Sequence, residues 1–254
     1  MIGPASYVDD YGDSRPQGRH EGNDIMSVRR ALAVAAEAGR VEFQSGSSRA
    51  GCMLYLYGQS GTKYVYVHLN NDVTSRNDNR GGCVGGVAFP RGLKSGQRVA
   101  AGQPVGYVGD SGDADGAQPH LHFEMRPAAG GSTNPHPYLR RAQRLLFYAP
   151  LGSTFTLGLT GTVAETDGTD LRLKVNSLRW WPNGLRVTEV GRTLTLDVSA
   201  AIVEQAKGAT PRAFAAAKKG HRVTVYTLPQ PATREAQLGN DRTLLAQRIV
   251  ILGD

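Results

Sequence analysis

The sequence predicts a mainly β protein of two domains, on three observations. Glycine is frequent, at 32 of 254 residues, while Phe, Trp and Tyr together make up only 7%, which favours many turns and short strands over long packed helices. Short runs of alternating apolar and polar residues recur from about residue 32 to the C-terminus. Near residue 147 the character changes, because candidate metal-ligating residues cluster before that point and not after it. The expected domains are therefore 1–146 and 147–254.

The formal charge is +7 with a pI near 9.6, which favours an acidic partner such as nucleic acid, an anionic membrane or an anionic cell-wall polymer, or serves solubility alone. The excess is scattered arginine, with no basic run and no basic stripe interleaved with aromatics, so nucleic-acid recognition is not specifically signalled. Two cysteines, Cys52 and Cys83, leave no room for a four-cysteine zinc site. They could form one disulfide or remain free buried thiols. No run of 18 or more apolar residues is present, and the start Met1-Ile2-Gly3-Pro4 has no signal-peptide pattern. A mature fragment would look the same.

In order, residues 1 to about 25 read as a loop dense in Gly, Asp, Pro and Arg. Within it, Gly22 and Asn23 favour a bend that brings the imidazole of His20 to the carboxylate of Asp24. Leu32, Val34 and then Val41, Phe43 suggest two short strands joined by a turn at Gly39. Met53 to Tyr57 and Lys63 to Leu69 form a clearer hairpin across Gly58-Gln59-Ser60-Gly61-Thr62, with His68 at its rim. Asn70 to Gly96 reads mainly as a surface loop that a Cys52–Cys83 disulfide would pin to the hairpin. Val105 to Val108 is a further strand, and the acidic turn Gly109 to Gly116 leads into Gln118-Pro119-His120-Leu121-His122-Phe123-Glu124. On a strand, His120 and His122 share one surface while Leu121 and Phe123 face the other. His136, between two prolines, is read as incidental. Tyr138 to Leu146 is expected to be a short basic helix that closes the first domain.

Beyond it, alternation at Thr156 to Ala164, Leu171 to Val175, Leu185 to Val190, Thr193 to Val198, Arg222 to Leu228 and Leu244 to Leu252 suggests a small β-barrel, with a helix at Thr210 to Lys219. Trp180-Trp181 is either a stacking platform or core. Residues 151–254 hold 13 Lys and Arg against 9 Asp and Glu, which fits an anionic polymer without requiring one.

Three short motifs in order, His20-Glu21-Gly22-Asn23-Asp24, Tyr66-Val67-His68-Leu69 and His120-Leu121-His122-Phe123-Glu124, resemble the M23 peptidases, the LytM or lysostaphin-like zinc endopeptidases that cut peptidoglycan peptides. The likeness covers roughly residues 5 to 140. It implies an antiparallel β-sheet peptidase domain; the second domain, on strand count and turn spacing, resembles small OB-like barrels of unassigned function. It also implies that His20, Asp24 and His122 bind Zn2+, leaving an open fourth position of the kind catalytic zinc has. Water held there can have its pKa lowered to about 7. The resemblance makes His120 the proton acceptor and donor and His68 the group that stabilises the tetrahedral intermediate, with the two roles exchangeable. Glu124 is left as structural or as a support behind the ligands. The long loop after Asn70 departs from compact members of that family.

These expectations amount to a zinc endopeptidase acting on peptidoglycan outside the cytoplasmic membrane, as a mature enzyme, a truncation or a chain written without its export signal. The competing reading is a non-catalytic wall-binding or regulatory relative. A nucleic-acid binder using the C-terminal barrel ranks below both.

Overall fold

The computed structural model describes residues 1–16, 18–182, 184–205 and 217–253. It divides into two compact units, Met1–Arg144 and Leu145–Asp254. Their regular elements are almost all strands.

In the first unit the strands are β1 (Ser14–Arg15), β2 (Gly18–Arg19), β3 (Asn23–Met26), β4 (Leu32–Val34), β5 (Gly39–Ser47), β6 (Gly51–Gly58), β7 (Lys63–Leu69), β8 (Arg98–Val99), β9 (Pro104–Tyr107) and β10 (His120–Arg126). Six of them form one antiparallel sheet in the order β3-β10-β7-β6-β5-β8. Alternation along these strands buries one face. Leu54 and Leu56 of β6, Tyr64 and Tyr66 of β7, and Leu121 and Phe123 of β10 share a core with Val41, Val105 and Val108. Removing that apolar surface from water stabilises the unit by roughly 25 cal/mol per Å².

The predicted hairpin of β6 and β7 is present. Leu32–Val34 and Gly39–Ser47 are strands but do not pair with each other: β4 pairs with β9, and β5 pairs with β6 and β8. Periodicity finds strands but not their partners, since the hydrogen bonds that join them are long-range. The excursion after Asn70 is also more than a surface loop. Ala88, Phe89 and Leu93 are buried in the core, and the Phe89 ring stacks on Phe43 with centroids 3.8 Å apart. Cys52 and Cys83 form a disulfide that ties this segment to β6. Arg29 adds a buried clamp, pairing with Asp72 of the excursion and Asp110 of the acidic turn, both fully buried.

The expected helix at Tyr138 to Leu146 is only α1 (His136–Leu139). Leu145, Leu146 and Phe147 are buried instead, with Leu146 N–H donating to the Gln237 carbonyl in the second unit. An apolar triplet claimed by another core cannot also wind on as a basic surface helix.

The second unit holds β11 (Thr154–Thr166), β12 (Asp170–Trp181), β13 (Leu185–Asp197), β14 (Ile202–Gln205), β15 (Arg222–Thr227), β16 (Gln230–Pro231), α2 (Arg234–Leu238) and β17 (Ala246–Gly253). The sheet order is β13-β12-β11-β15-β17-β14, with β16 on β11. The two runs expected at 185–190 and 193–198 are one strand, β13, broken in register opposite Val175 and Ser177 of β12. The outer strands β13 and β14 are not paired with each other among the described residues, but a parallel bridge joins Asp197, at the end of β13, to Leu245, just before β17. The helix expected at Thr210 to Lys219 lies mostly outside the described residues.

Candidate metal centre and active site

Pairing register brings the site together. His122 of β10 stands opposite Asp24 of β3 on one side and Val67 of β7 on the other. Directly opposed residues point to the same face, so imidazole and carboxylate meet on the surface away from the core. His20 arrives from the preceding loop, whose backbone bonds to Gly12 and Asp13 fold it back over Asp24. Three atoms converge: His20 Nε2 lies 2.8 Å from His122 Nδ1 and 3.2 Å from Asp24 Oδ1, and His122 Nδ1 lies 3.1 Å from that oxygen.

The backing hydrogen bonds determine what those atoms are. His20 Nδ1–H donates to the Asp10 carbonyl at 2.9 Å, and His122 Nε2–H donates to Glu124 Oε1 at 3.1 Å. In each neutral ring the other nitrogen is then a bare lone pair, and the two lone pairs face each other beside a carboxylate. Such an arrangement is repulsive unless a proton or a cation sits between them. The three separations approach the edge of about 3.3 Å expected of a tetrahedron with bonds of about 2.0 Å. His20, Asp24 and His122 are thus a donor set that could hold a metal ion, and a borderline cation such as zinc fits two nitrogens and one carboxylate oxygen.

Arg15 and Asp10 complete the support. Arg15 Nη2 donates to Asp24 Oδ2 at 2.9 Å, which leaves Oδ1 as the inward oxygen. Asp10 accepts from the Asn23 side chain and from the Asp24 backbone at 3.3 Å. Glu124, in turn, is held by Arg126 Nε at 2.6 Å. Glu124 shares the strand face of His122, so alternation could have found it. Arg15 and Asp10 carried no sequence signal, because only the folded loop brings them to Asp24.

Electrostatics follow from this crowding. Burial opposes charge on Asp24, but hydrogen bonds from His122 and His20 hold it well below the usual carboxylate range. Burial also opposes charge on His122, yet Asp24 and Glu124 outweigh it and raise the imidazole to about 9. His20 is raised as well, against burial, by Asp24 and the Asp10 carbonyl. With both imidazoles raised, protons compete with a cation for these nitrogens. Metal uptake at pH 7 to 8 should release protons, and affinity should fall as pH drops below about 9. Calorimetric titration in buffers of different ionisation heat measures the number released, and a heat independent of buffer would refute the competition.

His120 and His68 flank the set. His120 Nδ1–H donates to the Gln118 carbonyl at 2.9 Å, which leaves Nε2 as a lone pair 4.0 Å from Asp24 Oδ1. His68 Nδ1–H donates to the Ser111 carbonyl at 2.8 Å, and the ring centroids of His68 and His120 are 5.0 Å apart. Regular alternation from Tyr66 would send His68 into the core. Instead the register slips between Cys52 and Leu54, where β7 spends an extra residue, and His68 takes a left-handed φ of 58°. This bulge turns the imidazole to the site and returns Leu69 to the core. Burial, with its histidine neighbours, lowers the His68 pKa, so the ring is neutral at pH 7. His136 stays away from this set, 3.5 Å from Asp9.

Gly22 is a tight point beside the donor set. A β-carbon there would lie 2.6 Å from the Phe123 carbonyl oxygen and 2.9 Å from His122 Nε2. Gly22→Ala should push β10 away from His20 and weaken metal affinity by roughly 10- to 100-fold, as loss of ligand support does. Titration with zinc measures this, and unchanged affinity would show that the close approach is not needed.

Residues 87–135, which include His120 and His122, match Peptidase family M23. The chain is similar to the L-Ala--D-Glu endopeptidase of Bacillus subtilis, 30% identical over 150 residues, which is 55% of this chain and 41% of that relative. The chain thus spans about two fifths of the curated relative it matches. Among solved structures it resembles the catalytic domain of lysostaphin from Staphylococcus simulans, with 23% identity, a TM-score of 0.40, and coverage of 54% of this chain and 92% of that one. It also resembles the catalytic domain of the prophage-encoded M23 protein EnpA from Enterococcus faecalis, with 26% identity, a TM-score of 0.40, and coverage of 54% and 94%. No helix among the described residues is long and apolar enough to cross a membrane.

Proposed function

Taking the first unit as an M23 peptidase domain, we propose that it is a zinc-dependent endopeptidase that hydrolyses peptide bonds of peptidoglycan outside the cytoplasmic membrane. The observation that carries this reading is the convergence of His20 Nε2, Asp24 Oδ1 and His122 Nδ1, with the free Nε2 of His120 beside them. The matched relative is named for an L-Ala–D-Glu bond, which supports a wall peptide as substrate. Zinc at that point would polarise the scissile carbonyl and acidify a water molecule. His120, held by the Gln118 carbonyl with Nε2 exposed to the site, accepts the proton from the attacking water and passes it to the leaving amine. His68, fixed by the Ser111 carbonyl through Nδ1–H, presents Nε2 to the site, and it would donate to the developing oxyanion once that nitrogen has taken up a proton. Arg15, Asp10 and Glu124 keep the donor atoms oriented, so little reorganisation is needed when charge shifts.

Release of new amino groups from purified peptidoglycan of several cross-link types, with and without a zinc chelator, tests this. Chelator-sensitive cleavage supports the reading and names the bond, with L-Ala–D-Glu, D-Ala cross-links and glycine bridges as the arms. One zinc bound per chain without cleavage of any of them would overturn it in favour of a wall-binding or regulatory protein.

A further inference from the structure

The outward face of the second unit's sheet carries a cluster that peptide hydrolysis does not use. Trp180 and Trp181 end β12 and point to opposite faces, so Trp180 is fully buried and Trp181 is half-buried on the outer side. Register then brings a second aromatic beside it. Thr156 of β11 pairs with Trp181, and Gly158, two residues on, pairs with Tyr226 of β15. Gly158 is the floor between the two rings. A β-carbon there would meet Trp181 at 3.3 Å and Tyr226 at 3.5 Å, so a larger residue would force the rings apart. On the next strand Arg248 lies with its guanidinium 4.5 Å over the Tyr226 ring and 3.7 Å from Glu204. Arg179 lies 5.6 Å from the Trp181 ring. Trp181, Tyr226, Arg248 and Glu204, together with exposed Gln247, line an open cleft of about 530 Å³.

We propose that this cleft is a saccharide-binding site that takes a stretch of the peptidoglycan glycan strand, a choice of ligand that rests on the wall-peptidase reading above. A pyranose presents a face of C–H groups rimmed by hydroxyl and amide groups. The complementary surface is an aromatic face bordered by directional polar groups, which Trp181, Tyr226, Gln247, Glu204 and Arg248 supply. The local charge argues against a nucleic-acid strand: Arg248 is already paired, and the Glu204 carboxylate faces into the cleft, where it would repel phosphates. The cation over Tyr226 is pre-positioned, so ordering it costs little on binding. Such a site would hold the polymer near the enzyme and raise the effective concentration of its peptides.

The test uses the full chain and a soluble β-1,4-linked N-acetylglucosamine tetramer, with binding followed by tryptophan fluorescence and calorimetry. Saturable binding is expected, weakened at least tenfold in Trp181→Ala and in Tyr226→Ala and several-fold in Gln247→Ala, an exposed position whose substitution spares the fold. Binding should persist in His120→Ala, which separates it from hydrolysis: cleavage can fail while the tetramer still binds, and the reverse. No binding of the tetramer, or equal binding by all variants at unchanged melting temperature, would overturn the site. So would salt-sensitive binding of oligothymidylate that the same substitutions abolish while the tetramer does not bind.

Discussion

His120→Ala is expected to lower the rate of peptide hydrolysis by about 10²- to 10⁴-fold, the usual contribution of a positioned acid–base group, with metal binding retained. That is about 2.7 to 5.5 kcal/mol of barrier. The expectation rests on place: Nε2 of His120 is 4.0 Å from the inward oxygen of Asp24, adjacent to the donor set but outside it. Its Nδ1–H is committed to the Gln118 carbonyl, so the free nitrogen is the one beside Asp24. Initial rates on peptidoglycan together with metal content per chain decide the matter. A variant that retained most of its rate would remove His120 from the proton path, and one that lost its metal would make it a ligand.

His122→Ala is expected to abolish both peptide hydrolysis and metal binding. This imidazole supplies the donor atom closest to both His20 and Asp24, and it also links them to Glu124 and Arg126. With it gone, only two donors remain, too few for a four-coordinate catalytic site. Cleavage should fall below detection and bound zinc well below one per chain. Circular dichroism should still show a folded sheet, because His122 lies on the face away from the apolar core that Leu121 and Phe123 help to form. Full metal occupancy in this variant would mean that the ion sits elsewhere.

The contrast between the two histidines of β10 shows how far a linear reading reaches. The two-residue period of a strand is a local rule, so the shared face of His120 and His122, and the burial of Leu121 and Phe123 behind it, followed from the residues alone. The meeting of His20 with Asp24 was similarly local, a bend at Gly22 and Asn23. The need for glycine at that bend was not local, since the atom it makes room for is a carbonyl of β10, a hundred residues away in the chain. Strand partners were also invisible. β4 and β5 seemed a natural hairpin, yet each joins a distant strand, because cross-strand hydrogen bonding is set by which faces the whole sheet must bury.

By itself, the sequence determined that the chain is mainly β, that its candidate metal-binding residues lie in the first half, and that two imidazoles of one strand face outward together. Those properties depend on composition and on short periodicities, which act within a few residues. Tertiary structure decided the rest. It set the register that places Asp24 opposite His122 and folded Arg15 and Asp10 onto the donors. It also slipped β7 by one residue, so that His68, due to be buried by alternation, turns to the site. It separated Trp180 from Trp181, one in the core and one on an open face. In each case the deciding energy is long-range packing and pairing, which no window of neighbouring residues contains.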